Sequence, residues 1–230
     1  MEDFKKLFTS FPAVKVGVIG DVMLDTYMWG KVERISPEAP VPVVTLQKKE
    51  YRIGGAGNVA LNCRSLDAQV SILSVTGDDS DSVILKQLLE DNKIDTSYLV
   101  PSARRITTNK TRIISRNQQM MRLDAEVTND LDVIDEKLLL EKVEAYINTE
   151  QPTVIIFEDY NKGVLSEYTI KQIIQWCKQS GIITAVDPKR KNFFSYTGVD
   201  IFKPNLKEVK EGLNLLVDNI NESVLKNIHT

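Results

Sequence analysis

The chain has 230 residues, with 29 Lys and Arg against 32 Asp and Glu and a formal net charge of -3. That length supports one domain with a sizeable core. The charge balance offers no basic groove for nucleic acid and no polybasic tail for a lipid surface, and the apolar runs are too short to span a bilayer. The single histidine, His229, argues against a Ser/His/Asp triad and against a histidine-rich metal site, which leaves acid–base work to carboxylates and lysines.

The first six residues carry early acids and lack the basic start and apolar core of a secretory signal. The only two cysteines, Cys63 and Cys177, lie on apolar helix faces and read as buried free thiols, which fits the cytoplasm. Residues 15–20 read as a short buried strand that exits into Gly20-Asp21-Val22-Met23-Leu24-Asp25. Residues 41–52 are extended and polar on one side. They run into Gly54-Gly55-Ala56-Gly57-Asn58, with Asn58 expected at the start of a helix marked by Val59, Cys63 and Leu66. Residues 69–75 give a second strand, and Leu85, Leu88 and Leu89 mark the helix after it. Residues 106–115 and 118–124 form two extended runs about a hairpin turn at Arg116-Asn117. Residues 129–135 read as an acidic loop before a helix that carries Leu139, Val143 and Tyr146. The strand at 153–157 is followed by a helix with Ile170, Ile173, Ile174 and Cys177 on one face. Strands at 182–187 and 201–203 stop at Pro188 and Pro204, and a last helix is expected at 213–227. This alternation predicts an α/β fold: a mostly parallel sheet with helices on both faces. The extended runs at about 41–52 and 106–124 are expected to form a small antiparallel β lid.

In such sheets, ligands gather at the carboxyl ends of the strands. The polar clusters fall there. Asp21 or Asp25 can accept hydrogen bonds from sugar hydroxyls, or can serve as a turn or capping aspartate. Two adjacent glycines, Gly54 and Gly55, let the backbone approach a ligand closely, or simply turn the chain. Glu158-Asp159-Tyr160-Asn161-Lys162-Gly163 and Asp187-Pro188-Lys189 put Lys162 and Lys189 where phosphate oxygens could sit; a solvated loop is the alternative. Asn205 and Glu208 have the spacing of a capping box. Lys110, Arg112 and Arg116 share one face by a period of two and could clamp a phosphate, or blunt a sheet edge.

These segments together carry a resemblance. The chain resembles the ribokinase-like (PfkB) carbohydrate kinases over essentially its whole length, and within them the heptose 7-phosphate branch. The double glycine with Asn58, and Asn205-Leu206-Lys207-Glu208, are general to the superfamily. Arg34-Ile35-Ser36-Pro37-Glu38-Ala39-Pro40-Val41-Pro42 and Ser115-Arg116-Asn117-Gln118-Gln119 are more specific to the heptose branch.

The resemblance implies ATP-dependent phosphorylation, with Mg²⁺, of the anomeric hydroxyl of D-glycero-D-manno-heptose 7-phosphate. The partner is then a small sugar phosphate, not nucleic acid and not a membrane. Asp25 would hold sugar hydroxyls, and Gly54, Gly55 and Asn58 would line the sugar pocket. The lid would exclude water, and Asn205 and Glu208 would organise nucleotide phosphates, with Glu208 reaching Mg²⁺ indirectly. Placing Lys110, Arg112 and Arg116 on the 7-phosphate, and Lys162 and Lys189 on phosphates, follows from charge and spacing alone.

Many family members have one more residue between the double glycine and the asparagine. The family's Gly-Ala-Gly-Asp signature, which supplies the general-base aspartate, does not occur in the chain. No catalytic base is therefore assigned, the base is expected beyond the C-terminus, and the segment is expected to lack kinase activity by itself. The alternatives are another PfkB sugar or nucleoside kinase, and a non-catalytic sugar-binding fragment. No Walker A motif occurs, and the first strand lacks the Gly-x-Gly-x-x-Gly of a dehydrogenase. A homodimer through the lid is a further expectation.

Overall fold

The computed structural model describes residues 2–214. In chain order its elements are α1 (Glu2–Ser10), β1 (Lys15–Gly20), β2 (Val22–Ile35), β3 (Pro42–Gly55), α2 (Ala56–Ser65), β4 (Gln69–Gly77) and α3 (Ser80–Asp91). There follow β5 (Leu99–Ser102), β6 (Asn109–Ser115), β7 (Gln118–Ala125), α4 (Val133–Glu150), β8 (Val154–Glu158), α5 (Glu167–Ser180), β9 (Ile183–Asp187), β10 (Ile201–Phe202) and α6 (Leu206–Gly212). The helix expected at 213–227 falls, from residue 215 on, outside the described residues.

Six strands form one sheet in the order β10-β9-β8-β1-β4-β5, and every pairing in it is parallel. Its central strands are apolar on both sides because both sides are covered. Ile19, Leu73, Ile155 and Phe157 pack toward α4 and α5, against Leu139, Val143, Ile170 and Ile173. Val16, Val18, Val70 and Ile72 point the other way, toward Ala56, Ala60, Leu85 and Leu89 of α2 and α3. Four of the helices start on side-chain caps. Asp79 caps α3, Asp132 caps α4, Ser166 caps α5 and Asn205 caps α6, each accepting from a backbone amide one turn in.

The lid is larger than expected and is a mixed sheet, not an antiparallel one. Its order is β3-β2-β6-β7; β2 with β3 and β6 with β7 are antiparallel, whereas β2 with β6 is parallel. The physical reason is that β2 and β6 both leave the core sheet in the same direction. β2, fourteen residues long, continues directly from β1 across Asp21 alone. The run expected at 41–52 is β3, which extends through both glycines of the Gly54-Gly55 pair. The run expected at 106–124 resolves into β6 and β7. Arg116 (φ 50°) and Asn117 (φ 62°) form the turn between them, as a two-residue hairpin with both central residues left-handed requires.

Candidate functional site

One polar cluster is built where the lid leaves the core. Gly55 has φ 57°, and a Cβ there would lie 2.2 Å from the Asp21 carbonyl oxygen. Only glycine fits. The close approach also lets the Ala56 amide donate to that carbonyl at 2.9 Å. Gly55, and not Asn58, is therefore the N-cap of α2; Asn58 is the third helical residue and is exposed. A Cβ on Gly54 would lie 2.8 Å from Asp25 Oδ2, so the missing side chain leaves that oxygen open. The other carboxylate oxygen, Oδ1, accepts from Arg112 Nη1 at 2.6 Å, and both side chains are about 20% exposed. Asp25, Gly54 and Arg112 thus meet in one place.

Asp21 takes the structural alternative. It is 1% exposed. Its carboxylate accepts from the amides of Tyr160 (2.8 Å), Lys162 (3.0 Å) and Val164 (3.1 Å). Burial pushes the carboxyl up from its ordinary value, and those three amides pull it the other way. The bonds fold the loop after β8 back over the end of β1. Two more groups fix that loop. Asp159 Oδ2 accepts from Asn192 Nδ2 at 2.9 Å and from the Tyr196 hydroxyl at 3.0 Å. The Arg105 guanidinium donates to the carbonyls of Val127, Asn129 and Lys162.

The lysines of the site are paired. Lys162 Nζ lies 2.8 Å from Glu126 Oε1, and Lys110 Nζ lies 2.9 Å from Glu126 Oε2 and 3.0 Å from Asp124. Glu126 therefore ties the foot of the lid to the core loop. A phosphate arriving at Lys110 or Lys162 would share them with a carboxylate. Arg116 is not brought to Lys110 and Arg112. It sits in the exposed hairpin turn, four residues past Arg112, or about 13 Å along the strand.

A second cluster lies after β9 and β10. Asn205 and Glu208 form a capping box: Asn205 Oδ1 accepts from the Glu208 amide at 2.9 Å, and Glu208 Oε2 accepts from the Asn205 amide at 2.7 Å. The other Glu208 oxygen contacts Lys189, which also pairs with Asp187 at 3.2 Å, while Lys203 pairs with Asp187 at 3.4 Å. Beside them Glu158, at the end of β8, is 7% exposed. Burial, followed by the nearby Asp187 carboxylate, pushes its carboxyl up to about 7. Among the described residues no three His, Cys, Asp or Glu side chains converge as a metal cage. What the residues offer is a set of alternating ammonium and carboxylate groups. Ammonium groups are the kind that could take phosphate oxygens, and carboxylates the kind that could face a metal ion. Asn161 Oδ1 is buried with no partner among the described residues, an open acceptor beside Lys162. From β1 to β10 is three strand spacings, about 14 Å, so the two clusters lie along one edge of the sheet.

A groove of about 330 Å³ lies at the opposite, amino-terminal edge, lined by Lys15, Arg64, Lys93, Asp95 and Glu150. Two of its cations have local work: Lys15 donates to the last carbonyl of α4 at 2.9 Å, and Arg64 lies in the last turn of α2. It is not at the ligand end of the strands.

Sequence reasoning missed Tyr27, Arg52, Glu126 and Arg105. Tyr27 had a usable signal, since it follows Asp25 by two and so shares its face. Glu126 had none, because its partners lie 16 and 36 residues away in the chain.

The model of the pfkB family of carbohydrate kinases matches residues 14–230. The chain belongs to the pfkB carbohydrate kinase family. It is 44% identical over 198 residues to the bifunctional protein HldE of Methylobacillus flagellatus, covering 86% of this chain and 40% of that protein. It is 38% identical over 216 residues to the HldE of Geobacter sulfurreducens, covering 94% of this chain and 44% of that one. The chain thus spans less than half the length of these curated relatives. Among solved structures, the tetrameric inhibited form of phosphofructokinase-2 from Escherichia coli superposes with a TM-score of 0.68 at 16% identity, covering 93% of this chain and 68% of that one. Ribokinase from Arabidopsis thaliana complexed with ribose and ATP gives 0.65 at 13% identity, covering 94% and 68%. These two show the ribokinase-like fold.

Proposed function

We propose that the chain is the sugar-binding part of a kinase that transfers the γ-phosphoryl group of ATP, with Mg²⁺, to the anomeric hydroxyl of D-glycero-D-manno-heptose 7-phosphate. One observation carries the reading: Asp25 presents Oδ2 over the bare Cα of Gly54 while Arg112 holds Oδ1. That is an acceptor for a sugar hydroxyl with a guanidinium beside it, and the guanidinium has further N–H groups for a phosphate. The likeness to HldE proteins and the two heptose-branch segments favour a heptose phosphate over other sugars. Asn58, near the start of α2, lines the hydroxyl side. On the donor side, Lys162, Lys189, Asn205 and Glu208 hold nucleotide phosphates and Mg²⁺, with Lys189 exchanging Glu208 for phosphate oxygens. Lys110 contributes charge at the foot of the lid. Arg116 acts from the lid turn, where it meets solvent or a second subunit.

The general base is assigned to no residue of this chain, so binding without turnover is the expected behaviour of these 230 residues. A cytoplasmic setting suits ATP use and the free thiols Cys63 and Cys177. The outer lid face carries Met28, Leu46, Ile113, Met121 and Leu123, the last two 54% and 53% exposed. We place a homodimer contact there, which sedimentation would detect.

The deciding experiment is calorimetry on the 230-residue chain. Heptose 7-phosphate should bind, Arg112→Ala should weaken it, and ribose should bind far less. Equal affinity for ribose and heptose 7-phosphate would overturn the substrate assignment. Phosphorylation of the sugar by this chain alone would overturn the statement on turnover.

A further inference from the structure

On the inner lid face, side chains from three strands meet around Tyr27. Asp25 and Tyr27 follow each other at a period of two along β2, so they share this face. Arg52 stands opposite Asp25 on β3, and Arg112 stands opposite Tyr27 on β6. The Arg52 guanidinium carbon lies 4.5 Å from the Tyr27 ring centroid, and that of Arg112 lies 5.2 Å from it. Arg52 is kept over the ring by Glu50 at 2.7 Å. Trp29 flanks Tyr27, its ring near parallel at 17° with centroids 6.4 Å apart. The tyrosine ring is thus fenced on its own strand and receives two guanidinium groups.

Arg112 has a choice of anions on this face. Asp25 accepts from it, and Asp124, on β7 opposite Lys110, is another carboxylate on the same face. Asp124 is taken by Arg122 and Lys110, at 2.8 and 3.0 Å. A long side chain in a partly exposed place samples several rotamers, so something must favour one of them. A guanidinium over an aromatic face is attracted to it, and a flat ring also restricts where the planar group can lie.

We propose that Tyr27 is a positioning residue for sugar recognition: its ring holds Arg112 on Asp25 Oδ1, which keeps Oδ2 facing the space above Gly54. The proposal rests on the reading of Asp25 as the hydroxyl acceptor, and it adds a residue that does not touch the ligand. Tyr27 acts through Arg112. What matters is the ring, not the phenol hydroxyl, so phenylalanine should serve as well as tyrosine.

Two measurements on the full 230-residue chain test it. The first needs no ligand. In ¹⁵N spectra the Arg112 guanidinium should show hindered rotation of its Nη groups in the wild type and in Tyr27→Phe, and averaged signals in Tyr27→Leu. Assignment follows from the signal lost in Arg112→Lys. The second is calorimetry with D-glycero-D-manno-heptose 7-phosphate. Tyr27→Phe should bind within about twofold of wild type, and Tyr27→Leu about tenfold more weakly, or about 1.4 kcal/mol. Unchanged Arg112 signals in Tyr27→Leu would overturn the proposal. So would equal losses in Tyr27→Phe and Tyr27→Leu, which would point to the hydroxyl. If the wild type fails to bind the sugar phosphate, the functional reading falls, and the guanidinium spectra still decide the role of Tyr27.

Discussion

Replacing Glu158 by glutamine should stabilise the protein above neutral pH and change little in acid. The carboxyl sits at the end of β8, 7% exposed. Burial first, then the Asp187 carboxylate, raises it from 4.5 to about 7, while Lys189 and Lys203 pull it down. The unfolded chain releases this proton near 4.5 and the folded chain keeps it until about 7. Between those values the native state binds more protons, so stability falls as pH rises through the window. At about 1.4 kcal/mol per pH unit the interval amounts to about 3 kcal/mol, fully lost above pH 7. For a chain of this size that is about 6–12 °C in Tm. Glutamine keeps the shape and carries no charge at any pH. The assay is calorimetric melting of both proteins at about pH 4.5 and about pH 8.5. The variant should melt close to wild type in acid and well above it in base. The same Tm difference at both values would refute the reasoning, since only a pH-dependent gap reports the ionisation.

Gly55→Ala should cost about 3 kcal/mol or prevent folding, because its φ of 57° is costly for alanine and the new methyl would meet the Asp21 carbonyl oxygen; a wild-type urea midpoint would count against that geometry. Arg112→Ala should lower heptose 7-phosphate affinity more than tenfold with little loss of stability, a split that calorimetry and melting read together. Asn205→Ala should remove the α6 cap at a cost of about 1 kcal/mol, seen as faster hydrogen exchange at the Glu208 amide; unchanged exchange would mean the cap is dispensable.

The sequence carried the core sheet well. β1, β8 and β9 are short apolar runs bounded by polar loops, and α5 has an uninterrupted apolar stripe. The hairpin was legible because Arg116-Asn117 separates two runs of strand residues. β2 was not, and the reason is physical. Leu24, Thr26 and Met28 alternate with Asp25, Tyr27 and Trp29, so neither face is uniformly apolar or polar. One side is covered near the core and bare farther out. β5, only four residues long, lacks a pattern at any period. In the site, the cations were visible and, apart from Asp187 beside Lys189, their partners were not. Lys110, Lys162 and Lys189 read as free charges in the sequence, whereas the fold brings Glu126, Asp124 and Glu208 to them across long stretches of chain. Asp25, Gly54 and Arg112 do come together, because a strand end and a paired strand fix all three. The segment Ser36-Pro37-Glu38-Ala39-Pro40, which carried much of the resemblance, lies at the turn between β2 and β3, about 35 Å along β2 from Asp25.

The single-residue joint between β1 and β2 has a consequence for how the family can vary. A strand that passes straight from core to lid carries its side-chain parity with it. Loss or gain of one residue at Asp21 would leave β1 in place and turn β2 over. Asp25, Tyr27 and Trp29 would then face outward, and Leu24 and Met28 would turn to the inner face. The tip of the lid can lengthen or shorten without this penalty, because nothing beyond it depends on parity. The lid is therefore free to diversify at its far end and is locked in length where it begins.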